Sequence, residues 1–287
     1  MDSPSTADWS YHEAFDRNIG LITVLEQQKL RYSRVAIIGL GGVGGIYATS
    51  LARLGVGKFT IADPDIFERV NTNRQQGATV ASIGKNKAET VKQMIKDINP
   101  TADVRVFGEL HEETVSDILD EVTLALDGLD FFAISQRRTL YRTCRSKKIP
   151  VLGAAPIGFG SSMLNFDPNG MSFDDYFSID DTMSEKDQVF QFALGISPLL
   201  LQRPYFAPQN IDFAGRRTPS SVLGTLACAN LIGCETFKVL TGQPYESAPV
   251  SWQFDPFVRK FRRINLRGGN RNVIQILKKW YYRRVLS

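Results

Sequence analysis

Cysteine is scarce in this sequence, and histidine scarcer still. The three cysteines among 287 residues, Cys144, Cys228 and Cys234, form no CxxC pair, which argues against a disulfide framework and against a structural zinc site. Reduced, buried thiols are the expectation. The two histidines, His12 and His111, are far apart in sequence and form no obvious catalytic set. No apolar run approaches the roughly 18 residues of a membrane span. The opening residues MDSPSTADWSYHEAF lack the basic and apolar regions of a secretory leader, so a cytoplasmic protein is expected. Acidic residues are missing from one stretch: residues 256–287 hold ten Lys or Arg and no Asp or Glu, leaving 24 basic against 30 acidic residues elsewhere. The net charge of +4 therefore belongs to the C-terminal stretch. Such a stretch suits contact with an anionic membrane, a nucleic acid or the acidic body of a partner. Within it, Val273, Ile276, Leu277 and Trp280 recur at helical spacing, which predicts a helix docked on the body by that apolar face.

What is present is an alternation. With 43% hydrophobic and 22% charged residues the chain has the composition of a sizeable globular core. Short apolar, β-branched runs at 34–40, 58–63, 103–108, 122–128 and 149–155 predict strands, and the stretches 44–54, 84–98, 112–120 and 131–147 predict helices between them. That order implies an α/β fold: a Rossmann-like, doubly wound, mostly parallel sheet whose ligands bind beyond the carboxyl ends of the strands. A further strand is expected at 158–168. A long crossover or lid follows at about 167–218, with a short helix at 184–194. A core helix at 219–241, two more strands (SWQFD and FRRINLR) and a basic helix at about 272–286 complete the chain. The expected division is a nucleotide-binding domain over 1–255 and a basic extension over 256–287.

Gly39, Gly41 and Gly44 of IIGLGGVGG form GxGxxG between a predicted strand and helix, with Gly42 in the same turn. Glycine allows the tight turn, and the free N–H groups and helix dipole attract phosphate oxygens. Asp63, about twenty residues on at a strand end, suits a ribose. These features alone fit a nicotinamide or flavin dehydrogenase as well as an ATP site. The polar loop NTNRQQ favours ATP, because a triphosphate needs donors along its length. Arg74 offers a planar fork, and Asn71 and Gln75 offer amides. Lys85 and Lys87 in the first turn of the next helix oppose its dipole unless an anion is near. Asp127 and Asp130 end the next strand. Carboxylates among these cations repel phosphate unless a hard metal such as Mg²⁺ intervenes, and Asp130 is the candidate ligand; either aspartate can instead cap the helix that follows.

The order DPD, NxNRQ, GxxK, INP and DxxD, after the glycine turn, resembles the ThiF/MoeB family of ubiquitin-activating-enzyme-like adenylyltransferases over about residues 11–160. NTNRQ also resembles the threonylcarbamoyladenosine dehydratase branch. The resemblance implies an ATP·Mg²⁺ site with Gly39, Gly41, Gly42 and Gly44 at the phosphates and Asp63 at the ribose. Asn71, Arg74, Gln75 and Lys87 would then hold the triphosphate and Asp130 the metal. It further implies that Arg17, in AFDRN, is an arginine finger reaching a neighbouring subunit's site in a homodimer. The reaction implied is attack of a substrate carboxylate, the C-terminus of a small ubiquitin-like protein or peptide, on the α-phosphate of ATP. The chain departs from many relatives in having no paired CxxC and no cysteine between Cys144 and Cys228, so no obligatory thioester is expected. Phe131 follows Asp130 where the family often has a polar residue. A dinucleotide-dependent oxidoreductase and a non-catalytic ATP-binding module are the competing readings.

Overall fold

The computed structural model describes residues 9–207, 212 and 215–286. The β-branched runs become strands with alternate residues on opposite faces. β1 (Arg34–Ile38), β2 (Lys58–Ala62), β3 (Asp103–Phe107), β4 (Leu124–Asp127) and β5 (Val151–Ile157) pair in parallel. β6 (Gly160–Phe166), β7 (Val250–Asp255) and β8 (Lys260–Asn265) continue the sheet antiparallel. The order is β3-β2-β1-β4-β5-β6-β7-β8, so the chain reverses direction across the sheet between β1 and β4. Ligands gather at such a switch point. Residue 255/256, the expected boundary between the domain and its basic extension, lies at the turn of the β7–β8 hairpin within this one sheet.

Both faces are covered. Val35 and Ile37 of β1 enter one apolar cluster with α3 (Gly44–Leu54), α4 (Lys87–Ile98) and α9 (Val222–Thr241). Ala36 and Ile38 enter the other, with α5 (Val115–Ile118), α6 (Ile134–Ser146), α7 (Phe173–Phe177) and α8 (Glu185–Ile196). Two N-terminal helices precede the sheet, α1 (Tyr11–Ala14) and α2 (Val24–Tyr32), the second begun by a reciprocal Thr23–Glu26 capping box. α9 has the length and apolarity of a membrane span, yet it packs on β5 and β6 with Cys228 and Ile232 fully buried.

The stretch at 167–218, expected as a long crossover or lid, contributes two helices, α7 and α8, to the layer on the Ala36 and Ile38 face. Phe173, Tyr176, Phe177 and Phe192 carry α7 and α8 into the core, and an aromatic residue buried this way stabilises by about 1.5–3 kcal/mol. The helix expected at 184–194 is α8, whereas α7 had no periodicity long enough to announce it. Residues 208–211, 213 and 214 of the same stretch lie outside the described residues.

Two expectations are corrected. The C-terminal helix, α10 (Val273–Leu286), is docked by its polar side: Gln275 is wholly buried and donates to the Leu194 carbonyl, and Lys278 donates to that of Pro198. Its apolar side faces outward, with Val273 70% and Trp280 60% exposed. Spacing identified the stripe but could not say which side had partners. Cys234, expected to be buried, is exposed on α9, whereas Cys144 and Cys228 are buried.

Candidate functional site

A cleft of about 1360 Å³ opens at the carboxyl ends of β1, β2, β4 and β5. It is lined by Gly39, Gly41, Gly42, Asp63, Asn71, Arg74, Gln75, Lys87 and Asp130, so the structure brings these expected residues to one place. Gly44 sits just behind them as the first residue of α3. Two glycines here are sterically obligatory. Gly39 has φ +85°, and a Cβ on it would lie 2.5 Å from the Gly128 carbonyl oxygen; a Cβ on Gly44 would lie 1.8 Å from that of Gly39. The turn thereby hugs the end of β4, and Gly41, Gly42 and Val43, which lead into α3, line the cleft just ahead of a helix N-terminus whose first-turn N–H groups have no intrahelical acceptors.

Asp63 ties this turn to β2. It accepts from the Leu40 N–H at 2.6 Å and from the Asp65 N–H at 2.9 Å, leaving the remaining lone pairs of its oxygens for a ligand hydroxyl. The polar loop that follows is held rigid from below. Phe67 is fully buried, its N–H bonds to the Lys85 carbonyl, and Gly77 lies so close that a Cβ would meet the Phe67 ring at 2.5 Å. On this base, Asn71 uses Oδ1 to accept from the Glu68 N–H. Arg74 is braced by the Val70 carbonyl and the Asn73 side chain. Burial draws its guanidinium below the usual arginine range, opposed by the nearby Asp130 carboxylate. Gln75 is buried with Oε1 lacking any hydrogen-bond partner, and its Nε2 borders Gly41.

The two lysines part company. Lys87 is the first residue of α4, only 6% exposed, and its Nζ meets Asp65 Oδ2 at 2.9 Å. Asp65 is the anion that a lysine at a helix N-terminus requires, and sequence reading missed it. Lys85 precedes the Asn86 cap, is exposed and does not line the cleft.

The two aspartates also differ. Asp127 is buried and used up by the fold: Oδ2 accepts from Arg137 Nε at 2.7 Å and the Tyr141 hydroxyl at 3.0 Å, and Oδ1 from the Leu129 N–H. Burial, with Asp127 beside it, pushes the Tyr141 phenol well above its ordinary range and keeps it a donor. Asp130 is exposed and caps its own turn through Oδ1 to the Phe132 N–H, leaving Oδ2 with no hydrogen bond among the described residues. No cluster of three or more metal-binding side chains occurs among the described residues. A cation here would have one carboxylate, Asp130, completed by phosphates and water, the pattern of Mg²⁺.

Arg17 lies in a short 3₁₀ turn outside the cleft, exposed to solvent. The far wall was not foreseen. Arg216, Arg217 and Ser220 line the cleft, Asn73 Nδ2 donates to the Ser220 carbonyl, and Arg216 donates to that of Phe132. The paired arginines were the one available signal. Cys228 is buried beneath the sheet, its thiol pushed up to about 12 by burial.

Curated proteins similar to this chain include the tRNA threonylcarbamoyladenosine dehydratase of Haemophilus influenzae, 28% identical over 81% of this chain and 89% of that protein. The dehydratase of Bacillus subtilis is 33% identical over 49% of this chain. The sulfur carrier protein ThiS adenylyltransferase of Escherichia coli is 32% identical over 50%. The chain spans just over half the length of these last two relatives, 55% and 56%. Among solved structures, PaaA has the same fold, with a TM-score of 0.67 at 21% identity over 91% of this chain and 86% of its own. E. coli TcdA in complex with AMP has a TM-score of 0.60 at 18% identity, over 84% of this chain and 98% of its own. The ThiF family model matches residues 15–273, and with nearly the whole chain inside that match the protein belongs to the ThiF family.

Proposed function

We propose that the chain is an ATP-dependent adenylyltransferase that activates a carboxylate. The observation that carries this reading is the gathering, on one cleft, of the glycine turn and Asp63 with four phosphate-side donors, Asn71, Arg74, Gln75 and Lys87, and with Asp130. A dinucleotide needs the first two features and has no use for the rest. In the reaction a carboxylate oxygen attacks the α-phosphorus and the bond to the β-phosphate oxygen breaks, giving an acyl-adenylate and pyrophosphate. The nucleophile is already ionised, so alignment and charge stabilisation supply the rate and no strong base is needed. The α3 N-terminus and Lys87 would face the phosphates, Arg74 the developing charge, and Asp63 the ribose. Mg²⁺ held at Asp130 would neutralise the departing pyrophosphate. With Cys228 buried, and with exposed Cys234 absent from the lining of the cleft, the adenylate passes to its acceptor without an obligatory thioester.

The names of relatives support a small protein or peptide as substrate: a ThiS adenylyltransferase, the SAMP-activating enzyme of Haloferax volcanii, and E. coli MccB in complex with an MccA variant. Titration of the full chain with ATP·Mg²⁺ and, separately, with NAD tests the nucleotide half. ATP binding alone is expected, whereas binding of NAD alone would return the glycine turn to a dehydrogenase. Pyrophosphate exchange tests the chemistry, and ATP binding without exchange for any carboxylate would leave a non-catalytic ATP-binding module.

Two surface contacts belong to the same reading. Arg17 can act only on a neighbouring subunit's cleft, and exposed Leu21, Val24 and Leu25 beside it offer apolar cover for a homodimer; sedimentation as a monomer would remove that role. The outward apolar side of α10 is bordered by cations and includes Trp280 and Tyr281, which suits an anionic bilayer in the cytoplasm. Two acid-free stretches would repel each other across a symmetric contact, and aliphatic Ile276 and Leu277 do not stack on bases. Co-sedimentation with phosphatidylserine vesicles, lost in Leu277→Glu, is expected; binding to single-stranded RNA in place of vesicles would overturn this assignment.

A further inference from the structure

The cleft is larger than one nucleotide needs. Small-molecule sites run to roughly 300–1,000 Å³, and this one reaches about 1360 Å³ because it continues inward from Asp130 into a chamber of different character. The chamber walls are Phe131, Phe173, Phe177, Phe192 and Ile196, which reach it from the turn before α6 and from α7 and α8. The rings are mutually packed, Phe177 and Phe192 at 5.0 Å and Phe131 and Phe192 at 5.4 Å between centroids. Their positions are therefore set before any ligand arrives.

Arg137 stands where the two halves meet. The residue is 3% exposed, its guanidinium lies 4.5 Å over the Phe192 ring, and Nη2 donates to the Leu129 and Asp130 carbonyls. Nε is taken by Asp127, but Nη1 is buried with no partner. A buried donor left without a partner is unfavourable. It marks the junction, between the metal-ligand candidate and the rings, as a place for an oxygen that the protein itself does not supply.

We infer that the inner chamber binds a bulky apolar, aromatic-sized group borne by the unit whose carboxylate is activated, with Arg137 Nη1 donating to an oxygen of that unit. The inference rests on the adenylation reading and narrows it. A chain ending in glycine would leave the chamber unfilled, whereas a C-terminal aromatic residue, or a free aryl-substituted acid, fills it. The atom balance is unchanged: the carboxylate oxygen gains the α-phosphorus, pyrophosphate departs, and no electron or proton is transferred. Arg137 is a positioning residue in this step, and the rings select.

The test is a minimal pair in ATP–pyrophosphate exchange with the full chain, N-acetylphenylalanine against N-acetylglycine. The expected result is a kcat/KM about tenfold or more higher for the phenylalanine derivative, the scale on which an apolar pocket discriminates. Filling the chamber with Ile196→Phe should abolish that preference and leave ATP titration unchanged. Should that buried variant not fold, half-buried Phe131→Ala should raise KM for the phenylalanine derivative alone. Arg137→Lys, which keeps a charge against Asp127, should raise KM for both acids more than it lowers kcat. Equal exchange with the two acids, or a preference for glycine, overturns the chamber and leaves adenylation standing. Exchange with neither acid, nor with any other carboxylate, while ATP binds, overturns both.

Discussion

Two buried cations line the cleft, and they are held in opposite ways. Arg137 is locked: it bonds a buried carboxylate and two carbonyls, and it lies over a ring. Among the described residues Lys87 has one ionic partner, Asp65, whose side chain is 65% exposed. Charge exchange with an incoming phosphate is cheap for Lys87, because water can take over Asp65. For Arg137 it is prohibitive, because Asp127 would be stranded in the core. The first cation is built to change partners and the second to keep them.

The largest effect should come from breaking the locked pair. Asp127→Ala leaves Arg137 charged and uncompensated and should destabilise the fold by about 3–5 kcal/mol in chemical denaturation; a loss under about 1 kcal/mol would mean that Arg137 is not fixed by this carboxylate. Lys87→Ala should behave oppositely, weakening ATP by about 1.5–3 kcal/mol in calorimetry with a stability change within about 1 kcal/mol. Asp65→Asn sharpens the contrast, since removing the exposed competitor should leave ATP affinity unchanged or tighten it by up to about 1 kcal/mol. Weakening on the scale of Lys87→Ala would instead make Asp65 part of the binding apparatus.

The smallest effect concerns pH. Bonds from Arg142 and then Arg138 hold the Asp181 carboxyl below its ordinary 3.8. The unfolded chain therefore takes up this proton first as pH falls, so the contribution is full above that value and is lost below it. Melting curves of the native chain and Asp181→Asn should differ near about pH 6 and draw together as the pH falls below 3.8. A difference that persists in acid would assign the effect to the Asn side chain.

Most of the frame was legible because it follows from local periodicity. Each β-branched run became a strand within two residues, and the glycine turn needed only its context. The polar loop was legible as chemistry but not as structure. Nothing in NTNRQQ tells that Phe67 and Gly77 clamp the loop from below, nor that Asp65 stands against Lys87. Those depend on how far the chain doubles back. Arg216, Arg217 and the aromatic chamber were missed for the same reason, since α7 is too short to show a period and the expected helix α8 does not reveal in sequence which of its residues meet the cleft. The outward side of α10 shows the limit most plainly: helical spacing gives a stripe, and only the neighbours decide whether it is covered.

The last strand of the sheet has a consequence of its own. Among the described residues β8 pairs only with β7, and five of its six residues, including Lys260 and Arg262, are exposed. An open strand edge is a template on which further chains can add without end, and like charges crowded along it make each addition repulsive. These cations make the final edge a poor template for a second copy, so their loss should show first as gelling at high concentration.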